Sequence, residues 1–183
     1  MQFAFYFDQS RCTGCYACAI ACRDKNDIQD THISWRSIRE TETGSYPGVL
    51  LSYVSLSCCH CAEPACVQVC PVSAIAKRAE DGIMTVDCEA CLGGDACGAC
   101  KEACPYSVPQ FSTQAADKMQ MCTFCLDRLA AGKDPACVAA CPLYALDAGP
   151  MDELVKKYGA VKEIQGFTCS AKTKPSIIFK PRY

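Results

Sequence analysis

Cysteine is the residue whose number and spacing point most directly to chemistry in this sequence. The chain has 183 residues, of which 19 are cysteines, and sixteen of these fall into four groups of four. In every group the last cysteine follows the third after three intervening residues, and in three groups proline comes next. The groups are Cys12, Cys15, Cys18 and Cys22; Cys58, Cys61, Cys66 and Cys70; Cys91, Cys97, Cys100 and Cys104; and Cys122, Cys125, Cys137 and Cys141.

Such spacing is typical of cysteines that hold cubane iron–sulfur clusters. Thiolate sulfur is a soft ligand that suits iron, and three closely spaced cysteines can form a loop around one Fe4S4 core. In two-cluster ferredoxins the fourth cysteine, one helical turn further on, reaches the other cluster. We therefore predict four [4Fe–4S] clusters, with all sixteen cysteines as ligands.

Two other uses of cysteine explain the pattern less well. A disulfide scaffold belongs in a secreted protein, but residues 1–8 show no cationic leader or sustained apolar core, and an odd number of thiols leaves one unpaired. Zinc completes its tetrahedron with two C-x2-C pairs, so it does not call for the third cysteine or the terminal Cys-Pro. Zinc stays as the alternative metal.

Charge and hydropathy narrow the class of partner. The formal net charge is −2, and four oxidised clusters with ionised ligands would bring it to about −10, which argues against a nucleic-acid partner. No apolar run approaches the roughly twenty residues that span a bilayer. We predict no signal peptide and no membrane span, with a location in the cytoplasm or at a membrane through partners. Export with a folded, signal-bearing partner stays open.

Short strands and helices must position the cysteine groups, which predicts an α+β fold. Strands are expected over 3–7 and 49–56, a hairpin over 74–86 and a helix over 150–157. The polar segment 23–47 is predicted to be an insertion or partner-facing loop. Four copies of one motif predict two interleaved ferredoxin-like units of the bacterial 2[4Fe–4S] type, with their four clusters in a line. Residues 1–48 and 107–150 would form the outer unit, 49–106 the inner unit, and 151–183 a C-terminal helix and docking tail.

Several longer motifs carry a family resemblance. Cys58-Cys-His-Cys61-Ala-Glu-Pro-Ala-Cys66, Cys122-Thr-Phe-Cys125-Leu-Asp-Arg128 and the closing Thr173-Lys-Pro-Ser-Ile-Ile-Phe-Lys-Pro181 are the main ones. With these motifs the protein resembles the four-cluster electron-transfer subunits of molybdenum oxidoreductases, and within them the branch of dimethyl sulfoxide reductase iron–sulfur subunits. The resemblance covers nearly the whole sequence.

The resemblance implies which cysteines share a cluster. Each set takes three cysteines from one group and the last cysteine of another, and we name each set after its first member. The Cys12 set is Cys12, Cys15, Cys18 and Cys141, and the Cys58 set is Cys58, Cys61, Cys66 and Cys104. The Cys91 set is Cys91, Cys97, Cys100 and Cys70, and the Cys122 set is Cys122, Cys125, Cys137 and Cys22.

The third group departs from the family pattern. Residues 94–96 are an insertion before Cys97, and Cys88 lies nearby as a competing ligand. We predict Cys91 as the ligand, because Cys91-Leu-Gly matches the start of the motif, and we keep Cys88 as the alternative. Cys59 and Cys169 are predicted to be spare thiols that pack like small apolar residues.

The resemblance also implies a function in anaerobic respiration. The protein would relay single electrons to or from a molybdopterin-containing catalytic subunit, with a quinol-oxidising membrane anchor as a second partner. It shows no Gly-rich phosphate loop and no convincing Ser-His-Asp set, so it is predicted to perform no bond chemistry itself. The alternatives are the same relay in a formate dehydrogenase or in a molybdoenzyme for sulfur compounds, arsenate or aromatic rings, and a free polyferredoxin shuttle.

Overall fold

Short strands and helices alternate along the chain, as expected for an α+β fold. The computed structural model describes residues 1–112 and 118–182. Its strands are β1 (Phe3–Asp8), β2 (Arg36–Thr43), β3 (Leu50–Ser57), β4 (Ile75–Lys77), β5 (Met84–Val86), β6 (Gln110–Phe111), β7 (Met119–Gln120), β8 (Leu146–Pro150) and β9 (Ile177–Lys180). Its helices are α1 (Ala17–Lys25), α2 (Ala65–Gln68), α3 (Ala99–Ala103), α4 (Leu126–Ala130), α5 (Ala136–Ala139) and α6 (Met151–Tyr158).

A three-stranded sheet joins the two ends of the chain. Its order is β8-β1-β9, with β1 antiparallel to β8 and parallel to β9. Successive side chains of a strand point to opposite faces. Ala4 and Tyr6 therefore pack with Leu154 of α6, whereas Phe5 and Phe7 join the main core, which also contains most of the cysteines. The central strand is buried on both faces, which explains its continuous apolar run.

The predicted strand at 49–56 is confirmed as β3, but the prediction of a loop over 23–47 is wrong in its second half. Residues 36–43 form β2, which pairs antiparallel with β3 over its full length, so that Arg36 lies opposite Ser57. The strand escapes prediction because its outer residues, Glu40 to Thr43, are polar and mostly exposed, while its buried end begins with an arginine. The predicted hairpin at 74–86 is confirmed as β4 and β5.

The C-terminal segment is part of the fold. The predicted helix is present as α6, which follows Pro150 and stops at Gly159. Beyond α6, Ile177, Ile178 and Phe179 of β9 lie in the central sheet and are each at most 3 % exposed. The sequence predicts a docking tail for this part of the chain. The division of the chain into an outer and an inner unit stays a prediction. In the described residues no helix is both long and apolar enough to cross a bilayer.

Candidate metal centres

The two ends of the chain meet at the first cysteine cavity. Cys12, Cys15 and Cys18 lie around the start of α1, and Cys141 follows α5. Together the four line one cavity. The remaining walls are mainly apolar and are provided by residues such as Phe7, Ile38, Ser55 and Leu146. The structure therefore brings together the four cysteines of the Cys12 set.

A second cavity is lined by the four cysteines of the Cys58 set. Its apolar walls include Met84, Tyr106, Val108 and Met121. A fifth thiol, Cys59, lines the same cavity and is 2 % exposed. This position of Cys59 is not evident from the sequence, which predicts only a spare thiol.

The lining of the third cavity includes Cys91 but not Cys88. This cavity is lined by Cys70, Cys91, Cys97 and Cys100. Cys88 is exposed and lies outside this lining, with its Sγ 3.8 Å from the backbone oxygen of Met119. The inserted residues form a loop in which Gly93, at φ +95°, accepts the backbone N–H of Cys97 through its carbonyl. The four cysteines at the cavity are those of the Cys91 set.

The Cys122 set lies deepest in the protein. Cys22, Cys122, Cys125 and Cys137 are each between 4 % and 6 % exposed. Burial and the neighbouring charges of Cys122, Cys137 and Cys125 raise the pKa of the Cys22 thiol to about 12. Cys22 belongs to α1, which continues to Lys25 because no proline follows this cysteine. Asn26 Nδ2 donates a long hydrogen bond of 3.7 Å to Cys22 Sγ.

A repeated backbone hydrogen bond orients the first cysteine of every group. The N–H groups of His60, Gly93 and Phe124 donate to the sulfurs of Cys58, Cys91 and Cys122, each at 3.4 Å, and the N–H of Gly14 donates to Cys12. All four donors stand two residues after their cysteine and have positive φ. A tight turn of this kind points backbone N–H groups inward, and such bonds to sulfur help set cluster potentials.

A second repeat follows the last cysteine of three groups. Cys70, Cys104 and Cys141 are each followed by proline, and their carbonyls accept the N–H of Ser73, Ser107 and Tyr144, which all have positive φ. Proline fixes φ at the turn and removes a donor. After two of these turns a backbone N–H, from Ala74 or Ala145, donates to the cysteine sulfur at 3.2 Å. Both repeats support the interpretation of the cysteine groups as copies of one motif.

The four cysteine sites fit iron–sulfur clusters by their donor chemistry. Burial raises the pKa of most of these thiols, to about 12 for Cys66 and about 11 for Cys61, so ionised sulfur there needs nearby positive charge. Iron supplies that charge. Within the described residues no group of three or more His, Cys, Asp or Glu is arranged for a single ion. In a cubane each thiolate binds a different iron, so the four sulfurs surround a core and do not converge on one point.

Three buried side-chain atoms in the described part of the chain lack a protein hydrogen-bond partner of good geometry. They are Arg36 Nε, His60 Nε2 and Thr173 Oγ1, and each side chain lies beside cysteines. Burial lowers the pKa of His60 to about 3, so the ring is neutral, and its Nδ1 accepts the N–H of Met84 at 2.9 Å. Nε2 therefore carries the proton. Sulfur of a bound cluster would be a suitable acceptor for such buried donors.

Gly14 offers a test of this local geometry. Its φ is +70°, and a Cβ atom there would lie 2.5 Å from Cε1 of Tyr53. Replacing Gly14 with alanine is expected to cost about 1–2 kcal/mol in the free energy of unfolding, because a side chain at positive φ is strained and the Tyr53 ring must move. Thermal unfolding followed by circular dichroism should show a lower midpoint, by about 2–4 °C for each kcal/mol. Gly149→Ala is the matched control, since its Cβ would meet open space; equal midpoints for the two variants would contradict this account.

Polar residues that lie between the cysteine sets escape prediction from the sequence. Arg36 is 1 % exposed and donates to the hydroxyls of Ser55 and Ser57 at 3.0 and 2.8 Å. The Ser55 hydroxyl lies 3.4 Å from the Cys18 sulfur. The available signal is the pair of serines alternating in an apolar strand, Ser55-Leu-Ser57, since buried hydroxyls need polar partners.

Comparison with known proteins gives two matching domain families. Residues 49–151 match the 4Fe-4S dicluster domain, and residues 5–24 match the 4Fe-4S binding domain. The first match covers more than half of the sequence and includes the last three cysteine groups. The second includes the first group.

Full-length relatives agree with the domain matches. The protein is 43 % identical to the B subunit of the anaerobic dimethyl sulfoxide reductase of Escherichia coli strain K12, over 98 % of this sequence and 89 % of that one. It is 41 % identical to the corresponding subunit of Haemophilus influenzae, with the same coverage. It is 40 % identical to the thiosulfate reductase electron transfer subunit PhsB of Salmonella typhi, over 89 % of this sequence and 84 % of that one. The protein therefore belongs to the family of iron–sulfur electron-transfer subunits that includes the B subunits of the anaerobic dimethyl sulfoxide reductases.

Proposed function

We propose that this protein holds four [4Fe–4S] clusters and relays single electrons to or from a molybdopterin-containing catalytic subunit of the dimethyl sulfoxide reductase type. The observation that carries the proposal is that three cavities are each lined by four of the predicted ligands, drawn in each case from two sequence groups. A quinol-interacting membrane anchor is the proposed second partner. Identity to a dimethyl sulfoxide reductase subunit over 98 % of the sequence supports this branch over the thiosulfate reductase branch, where coverage is 89 %.

The ligand sets that the family resemblance implies are the ones we propose. Three of them each line one cavity, the Cys58 set together with Cys59, and the effect of Cys122, Cys137 and Cys125 on the pKa of Cys22 supports the fourth. The position of Cys91 at its cavity, with Cys88 outside, supports Cys91 as the ligand. In every set the last cysteine comes from a different group from the other three, which is the exchange expected of two interleaved ferredoxin-like units.

The sets are proposed to lie in a line, in the order Cys12 set, Cys122 set, Cys58 set and Cys91 set. Charge effects between neighbouring thiols support this order. Besides burial, which is the main cause, the charge of Cys137 raises the pKa of Cys18, and that of Cys122 raises the pKa of Cys58. In the same way the charge of Cys100 raises the pKa of Cys66. Each pair joins one set to the next.

The protein contributes position and environment to this relay. When bound, [4Fe–4S] clusters supply one-electron redox chemistry. The cysteines would hold the clusters in consecutive sites within a core that also contains apolar residues such as Phe5 and Phe124, stacked 4.3 Å apart. Backbone N–H groups donate to cysteine sulfur at the first position of every group and help set the potentials.

Metal analysis tests the number of clusters. Protein purified without oxygen is expected to contain about sixteen iron and sixteen sulfide per chain, because each set of four thiolates matches one Fe4S4 core. Iron and acid-labile sulfide are measured on the same sample, with zinc as the control metal. Values near eight, or stoichiometric zinc, would overturn the proposal.

A separate prediction follows from the proposal that the last cysteine of one group binds the cluster of another group. Replacing Cys104 with serine is expected to damage the cluster of the Cys58 set, although Cys104 is closer in sequence to the third group. Paramagnetic resonance of the reduced protein should lose the signal that Cys58→Ser also removes. Cys70→Ser is the reciprocal control and should match Cys91→Ser. If Cys104→Ser matched Cys91→Ser instead, the proposed exchange would be incorrect.

The catalytic partner is tested by co-purification. Expressed together with a catalytic reductase subunit from the same organism, the protein should form a complex that oxidises a reduced viologen dye with dimethyl sulfoxide as acceptor. Thiosulfate is the comparison substrate, because one of the relatives is a thiosulfate reductase subunit. If the complex reduces thiosulfate but not dimethyl sulfoxide, the protein belongs to the thiosulfate reductase branch. If the protein is isolated without any partner subunit, a free electron shuttle is favoured.

A further inference from the structure

A fully buried arginine lies between two of the cysteine sets. The guanidinium of Arg36 donates to the hydroxyls of Ser55 and Ser57, and its Cζ is 4.6 Å from the centre of the Phe5 ring. Within the described residues Arg36 forms no ion pair with a carboxylate. A buried charge without a counter-charge is costly, and two serine hydroxyls with one aromatic ring do not neutralise it. The negative charge must come from elsewhere in the core.

The cysteines supply that charge. The negative groups that act on the guanidinium of Arg36 are the thiolates of Cys137, Cys122, Cys18 and Cys22. Conversely, Arg36 is a positive charge that acts on each of these four thiols. Cys18 belongs to the Cys12 set, and the other three cysteines belong to the Cys122 set. Arg36 therefore faces two sets at once.

Ser55 extends the influence of Arg36 to the Cys12 set. Its Oγ accepts a hydrogen bond from Arg36 Nη1 at 3.0 Å and lies 3.4 Å from Cys18 Sγ. A serine hydroxyl has one proton to donate, and a guanidinium can only donate. The Ser55 proton is therefore available to the Cys18 thiolate, and the positive charge on the other side of the hydroxyl strengthens that bond.

We propose that Arg36 is the shared counter-ion of the clusters held by the Cys12 set and the Cys122 set, and that it raises the reduction potentials of both. This inference rests on the proposed function. Reduction adds one electron, and therefore one negative charge, to a cluster, and no proton moves at Arg36 because the guanidinium stays charged. A fixed positive charge in a low-dielectric interior stabilises the more negative, reduced form. Arg36 acts through position and charge, and its charge also reaches Cys59 and His60 beside the Cys58 set.

The test is a redox titration of the full-length protein in its complex, with each cluster followed by paramagnetic resonance. Arg36→Met removes the charge and keeps an apolar side chain. We expect the potentials of the Cys12-set and Cys122-set clusters to fall most, that of the Cys58-set cluster to fall less, and that of the Cys91-set cluster to stay unchanged. Arg39→Met is the matched control, because Arg39 is an exposed residue on the same strand whose side chain bonds the carbonyl of Tyr106. It should leave all four potentials unchanged.

Two further variants separate charge from packing. Arg36→Lys keeps the positive charge, so its potentials should remain closer to those of the native protein than the potentials of Arg36→Met. Equal shifts in both variants would mean that Arg36 acts by shape or hydrogen bonding, and the proposal would fail. Ser55→Ala leaves Arg36 in place and should lower the potential of the Cys12-set cluster alone.

The outcomes distinguish this inference from the proposed function. If Arg36→Met contains sixteen iron per chain and its four potentials are unchanged, only the role of Arg36 is overturned. If the native protein contains zinc or eight iron per chain, the four-cluster relay itself is overturned. If Arg36→Met does not assemble its clusters, Ser55→Ala decides the question. A shift confined to the Cys12-set cluster then supports the proposal, and the absence of any shift rejects it.

Discussion

Cys91→Ser is expected to convert or destroy one of the four clusters. Cys91 lines the third cavity together with Cys70, Cys97 and Cys100, and its sulfur accepts the N–H of Gly93 at 3.4 Å. A serine hydroxyl is a harder and much less acidic ligand than a thiol, so the iron bound there would be lost most easily. The iron content should fall from about sixteen to between about fifteen and twelve per chain, the upper value corresponding to a three-iron cluster. Paramagnetic resonance of the oxidised protein should show the three-iron signal.

Cys88→Ser is the matched control for this experiment. Cys88 is only three residues away, but its side chain is exposed, lies outside the cavity lining and contacts the backbone of Met119. The variant should keep all four clusters and their spectra. Tolerance at Cys91 combined with loss at Cys88 would show that the loop closes from the earlier cysteine and that the third group starts three residues sooner.

Removing iron is expected to abolish the fold. The main core contains Cys18, Cys58, Cys100, Cys122 and Cys137 among its buried residues, so the sites that would hold the clusters lie within the packed interior. Without the clusters, apolar cavities remain open and buried thiols have no partner, and folding of such a domain depends on metal binding. Anaerobic removal of iron with a chelator should eliminate the cooperative thermal transition and most of the native far-ultraviolet circular dichroism.

Reconstitution is the control for that measurement. Iron, sulfide and a thiol reductant added to the iron-free protein should restore the native spectrum, since the information for the fold remains in the chain. Iron-free protein with native secondary structure and a cooperative transition would show that the protein core is sufficient alone. The clusters would then bind to a fold that forms without them.

The sequence alone determined the local part of each metal site. The interval between Cys58, Cys61 and Cys66 places three thiolates around one loop whatever the rest of the chain does, because a few residues of backbone can reach no further. The same local logic predicted the apolar strand at residues 3–7 and the hairpin at 74–86, where residue pattern and turn chemistry agree. The resemblance to known subunits then predicted the family, which the comparisons confirm.

Only the tertiary structure decided the long-range arrangement. Local spacing does not indicate that Cys141 lies at the cavity of Cys12, since that meeting requires β1 and β8 to pair. It does not reveal β2 either, because a strand that begins with a buried arginine shows no apolar alternation, and its pairing with β3 sets its register. The hydroxyls that bind the buried Arg36 belong to Ser55 and Ser57 of the neighbouring strand, 19 and 21 residues further along the sequence. Contacts of this kind arise from the packing of separate segments, so no short window of sequence contains them.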